Sequence, residues 1–233
     1  MILPSLGTYA RLLWACTTAG SDDASVAGFA WHAPPAVRII PGMGQTRRAE
    51  PVKLFVGMLS AYPGAFADAE SRLTEALGQV DLRSDLFAHE FTEYYRDEMG
   101  RPLVRYFVSF DRLIAPGELA GVKHLAGEIE ARMAAGGEWP VARPMNLDPG
   151  YIAPSKLVLS STKDYSHRIY LDDGIYGEVT LLFRHGTWRQ FEWTYPDYRT
   201  PEYHEFFTHV RSRLMEQRRD APGGRPSGEA ADD

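Results

Sequence analysis

The sequence predicts an α+β fold: one mixed, mainly antiparallel sheet with helices packed on one face. Three observations predict it. Short β-branched and aromatic runs recur from Val52 to Thr194. Two 3.6-period apolar stripes separate the early runs, and a third follows the last. Asp-Gly and His-Gly pairs at 173–174 and 185–186 punctuate the later runs at hairpin spacing. Strands clustered apart from helices mark α+β rather than a repeating βα order.

The elements follow in order. Residues 1–50 hold no sustained period and are rich in Ala, Gly, Pro and Ser. Such a segment buries too little apolar area to offset its ordering entropy, so a disordered extension, or translation starting at Met43, is expected. Val52 to Leu59 reads as a buried strand. Phe66, Ala69, Leu73, Ala76 and Leu77 share one helical face, with Gly78 as the C-cap. An extended segment is expected around His89 to Tyr95, followed by a turn at Met99-Gly100. In the next strand, Leu103 to Ile114, Val104, Tyr106, Val108 and Phe110 point one way and Arg105, Phe107 and Ser109 the other. A helix from Pro116 carries Leu119, Val122, Leu125, Ala126, Ile129 and Met133 on one stripe and ends at Gly136-Gly137.

Asp148-Pro149-Gly150 carries a turn signature. Lys156–Ser161, His167–Leu171, Ile175–Phe183 and Thr187–Thr194 then form a meander, and a helix from Pro201 turns Tyr203, Phe206, Phe207, Val210 and Leu214 inward. One domain is expected over 51–218, with a disordered tail over 219–233.

Composition narrows the function. A formal charge of −6 argues against general affinity for nucleic-acid backbones. The one cysteine, Cys16, allows neither an intrachain disulfide nor a cysteine-based zinc site, which suits the reducing cytoplasm. No apolar run approaches the roughly 18 residues of a spanning helix. GxxxxGKS/T, HExxH, GxSxG and GxGxxG are all missing.

The chemistry concentrates between Asn146 and Glu178. Lys156, Lys163 and Arg168 suit phosphate or carboxylate oxygens, Arg with a bidentate fork, and Asn146 and Tyr95 would add hydrogen bonds. Asp148 and Glu178, with Asp164, have the hard oxygens that would hold magnesium bridging such phosphates. His167 is the candidate general base, with Asp164 beside it. Alternation puts His167 and Ile169 on one face of their strand and Arg168 and Tyr170 on the other. Arg168 can then reach Glu178 across the hairpin, and the plain reading of those two is an ion pair bracing the sheet. The acidic, tyrosine-rich segment 93–100 could close a pocket opposite the cations, and Tyr195, Pro196 and Tyr198 could line one. The expected function is binding of a phosphorylated small molecule or nucleotide with magnesium. The alternative is a non-catalytic module binding a protein or RNA partner.

Several segments together resemble one family: KLFVGMLS at 53–60, TEYYRDEMG at 92–100, NLDPGYI at 146–152, LVLSSTKDYSHRIYL at 157–171, GIYGEVTLLF at 174–183 and WTYPDYRTPEY at 193–203. They are similar to the bacterial and archaeal "domain of unknown function 4416" family, over about 51–215. The resemblance implies no particular reaction, since the family has no established activity; some of its members carry a GTP-binding label.

Overall fold

The run VKLFVGMLS forms the central strand, β1 (Val52–Ser60), and all nine of its residues are buried. A strand covered on both faces reads as a continuous apolar run rather than an alternating one. The computed structural model describes residues 48–90 and 96–221, and the expected N-terminal extension and C-terminal tail lie almost wholly outside them.

After β1 come α1 (Pro63–Leu77), β2 (Val80–Arg83), β3 (Phe87–Ala88) and a single helical turn, α2 (Arg96–Met99). β4 (Val104–Ile114) leads through a 3-10 turn into α3 (Leu119–Ala135). The later part is β5 (Asn146–Ala153), β6 (Lys156–Ser161), β7 (Ile169–Asp172), β8 (Ile175–Arg184), β9 (Thr187–Gln190) and α4 (Pro201–Asp220). The strands make one nine-stranded sheet of order β2-β4-β1-β5-β6-β8-β7, with β3 on β4 and β9 on β8. Every pairing among the described residues is antiparallel. This is the α+β class with a mainly antiparallel sheet that the sequence predicts.

The helices, however, do not share one face. Leu54, Val56 and Met58 of β1 pack with α1 and α3 in one core, alongside Val108 and Phe110 of β4. Phe55 and Phe107, on the opposite side of the same strands, pack with Tyr203, Phe206, Phe207 and Val210 of α4. The apolar run of β1 from Leu54 to Leu59 requires such two-sided cover.

Asp148-Pro149-Gly150 is not a turn; it lies inside β5. Proline is tolerated because the β5–β6 ladder stops at the Gly150–Leu159 pair, so no ladder bond is asked of its nitrogen on that side. The Pro149 carbonyl instead accepts from Ser160 Oγ at 2.7 Å. Gly150 answers a close approach: a Cβ there would lie 2.6 Å from the Val158 carbonyl oxygen and 2.8 Å from the Phe55 ring. Both predicted tight turns form, with Asp173 at φ 44° before Gly174 and His185 at φ 49° before Gly186. Of the extended segment expected at His89–Tyr95, 91–95 fall outside the described residues; the short strands β2 and β3 lie upstream of it.

Candidate functional site

β5 and β6 part company beyond Gly150 and Leu159. β5 continues to Asn146 along β1, while β6 continues to Ser161 along β8. The sheet forks there, and a cleft of about 590 Å³ lies at the fork. One wall carries Arg105, Lys123, Arg143, Asn146 and Asp148. The other carries Ser160 to Lys163, Tyr165, Arg168 and Glu178. The segment leading into α4 adds Tyr195 to Tyr198, and His89 completes the lining.

On the first wall, Arg105 is buried on the α4 face of β4, because it shares that face with Phe107. Its Nη1 donates to Asp148 Oδ2 at 2.9 Å and its Nη2 lies 3.5 Å from Asp197 Oδ2. Lys123 reaches round from α3 to within 3.7 Å of Asp148 Oδ1 while donating to the Leu147 carbonyl. Burial pushes the Asp148 carboxyl upward, but Lys123, Arg105 and Arg143 outweigh it and hold the group below the usual carboxylate range. Asn146 Nδ2 donates to the same carboxylate at 2.6 Å, and its own carbonyl accepts from Arg143. Asp197 is shifted upward by burial, against the pull of Arg105. Burial, and then the Arg105 charge, push His89 down to about 4, so this buried imidazole is neutral at neutral pH.

On the second wall, Arg168 does form the expected bond to Glu178, Nε to Oε2 at 2.9 Å, with both side chains 2% exposed. It also donates to Ser161 Oγ, the Lys163 carbonyl and the Tyr195 hydroxyl, and its guanidinium lies 4.6 Å from the Tyr165 ring centre. One arginine thereby pins the 161–168 loop to β8 and to the segment before α4.

Asn146, Asp148, Lys163, Arg168 and Glu178 thus line one cleft. The remaining candidates do not. Lys156 stands at the far end of β6, paired with Ala153 and Leu182, whereas the cleft begins at Leu159. Asp164 is exposed on the loop and outside the lining. His167 precedes β7, so strand alternation does not govern it. It turns to the same carboxylate as Arg168, 3.1 Å from Glu178 Oε2, stacks on Trp193 and does not line the cleft. Tyr95 lies outside the described residues. Asp148 and Glu178, expected to hold metal, are each bound to an arginine, and among the described residues no three His, Cys, Asp or Glu side chains gather as a ligand set.

Arg105, Lys123, Asp197 and His89 were missed because each sits far in sequence from the 146–178 stretch, and Arg143, just before it, was missed because nothing in its neighbours shows that it turns to Asn146. Arg105 did leave a signal: a charge alternating into an otherwise apolar strand needs a buried partner.

A family model described as "Domain of unknown function (DUF4416)" matches residues 50–214. No curated protein matches the chain. Among the described residues no helix is long and apolar enough to cross a membrane.

Proposed function

The chain belongs to the DUF4416 family, and we propose that the forked cleft binds a phosphorylated small molecule. The observation that carries this is a charge surplus. Arg105, Lys123, Arg143, Lys163 and Arg168 face three lining carboxylates, Asp148, Glu178 and Asp197, with Glu130 behind the lining bound to Arg143 at 3.1 Å, in a chain whose formal charge is −6. A concave site with more cations than carboxylates inside an acidic protein is selective for anions, and arginine and lysine donors match phosphoryl oxygens. Magnesium has no preformed acidic site among these residues, so none of the binding is assigned to it.

Titration calorimetry of the full chain with inorganic phosphate and with nucleotides, with and without magnesium, tests the reading. Binding should weaken as salt rises. Lys163→Gln, on the exposed loop, should lose roughly tenfold in affinity, the worth of one charged hydrogen bond. Failure of every phosphorylated compound and of inorganic phosphate to bind would sink the proposal.

A second reading, a non-catalytic docking module, draws on the exposed side chains of Ile169, Tyr170 and Leu171 along the outer strand β7. It predicts no small-molecule affinity and a partner whose binding is lost on replacing Ile169 with Lys.

A further inference from the structure

The cations of the cleft suit a phosphoryl group, but they are not its whole lining. Tyr165 and Tyr195 line it too, and both are open to solvent, 50% and 44% exposed. Pro196, next to Tyr195, is a third exposed apolar member of the same lining. Single exposed rings are ordinary on a protein surface. Two rings in the lining of one concave, charged site give it an apolar surface that a phosphate ion alone would not use.

One buried side chain holds the two tyrosines at the same corner. The Arg168 guanidinium lies 4.6 Å from the Tyr165 ring centre, and its Nη2 donates to the Tyr195 hydroxyl at 2.7 Å. Its Nη1 donates to the Lys163 carbonyl at 3.0 Å, so Lys163, exposed on its loop, is tied to that corner as well. The Arg168 side chain itself is only 2% exposed and serves these protein groups, with Glu178 and Ser161 Oγ completing the set. Tyrosines anchored in this way are fixed before anything binds. A tyrosine has few torsions to lose, and holding it in advance removes much of that loss. A flat ring laid against such a surface gains both burial and stacking, which a saturated chain matches less well.

We infer that the ligand of the cleft carries a planar aromatic ring as well as its phosphate, the ring resting against Tyr165 and Tyr195 and the phosphoryl group beside Lys163. This rests on the phosphate-binding reading of the same cleft and adds the class of compound. A base joined to phosphate through a sugar and an aryl group esterified directly to phosphate share this chemistry. Tyr165 and Tyr195 set specificity, and Arg168 is the positioning residue for both.

Calorimetric titration of the full chain with inorganic phosphate, ribose 5-phosphate, adenosine monophosphate and phenyl phosphate separates the two ideas and the two sources of the ring. At least one ring ester should bind about tenfold more tightly than ribose 5-phosphate, the gain expected from stacking on a tyrosine. A gain for adenosine monophosphate marks a base as the source, and a gain for phenyl phosphate marks an aryl ester. Tyr165→Leu should cancel the preference, whereas Tyr165→Phe, which keeps the ring, should retain it. Tyr195→Leu should lower the same ratio and covers the case of a Tyr165 variant that folds poorly, with urea midpoints reporting the folding of each. Ring esters no tighter than ribose 5-phosphate in the native chain, a preference that survives both Leu substitutions, or its loss in Tyr165→Phe overturns the inference and leaves phosphate binding standing. Failure of all four compounds removes both.

Discussion

Replacing Arg168 with Met gives the sharpest test of how the second wall is built. The substitution keeps an unbranched apolar stem but removes the guanidinium that bonds Glu178, Ser161 Oγ, the Lys163 carbonyl and the Tyr195 hydroxyl. Glu178, 2% exposed, is then left with His167 Nε2 at 3.1 Å and Thr180 Oγ1 at 3.2 Å. Breaking one side of a buried pair costs about 3–5 kcal/mol, because the surviving charge stays buried without its partner. For a folded unit of this size, each kcal/mol moves the melting temperature by about 2–4 °C, so a fall on the order of 10 °C is expected. Met at both 168 and 178 removes the stranded charge as well. The double variant should therefore recover a large part of the loss, with a coupling of about 2–3 kcal/mol between the two sites. Urea unfolding at neutral pH of the native chain, both single variants and the double variant measures all four corners. A single-variant loss under about 1 kcal/mol, or strictly additive losses, would refute the view that this pair is a desolvated structural bond.

Other consequences are as concrete. Gly150→Ala should lower stability by about 1–3 kcal/mol in urea unfolding, since its methyl group would meet the Val158 carbonyl oxygen at 2.6 Å and backbone must shift. His89, pushed down to about 4 in the fold against an unfolded value near 6.5, binds its proton more readily in the unfolded chain between those limits. Its contribution is complete above pH 6.5 and is lost as pH falls toward 4, by up to about 3 kcal/mol. His89→Gln should flatten the slope of the urea midpoint across that window, and an unchanged slope would count against a buried neutral imidazole. Asp148→Asn leaves Arg105 buried with one fewer carboxylate and should cost about 2–4 kcal/mol, read by thermal melting.

The strands, the hairpin turns and the inward face of α4 were legible because each depends on neighbours in sequence. Alternation in LVRYFVSF separated Phe107 from Val108 before any contact was known, and those two residues do enter different cores. The side of the sheet on which each helix packs is a long-range choice. Only the apolar run LFVGML at 54–59 hinted that both faces are covered. Asp148-Pro149-Gly150 misled because its composition is that of a turn, while the termination of one ladder at Gly150 allows the proline to stay extended. Half of the cleft was visible as a local cluster of charge. The other half depends on β1 and α3 bringing Arg105 and Lys123 to Asp148, which no local pattern encodes. Lys156 was wrongly grouped because closeness in sequence was read as closeness in space, and an extended strand separates residues five apart by about 16 Å.

The fork in the sheet makes Gly150 and Leu159 the last rung joining two arms that otherwise touch different neighbours. On the proposed binding of a phosphorylated molecule in the cleft, the ligand would fasten β4 and β5 to β6 and β8. Its arrival is therefore expected to slow amide hydrogen exchange on both arms at once, in Arg105 as well as Glu178, although backbone pairing links neither strand directly to the other.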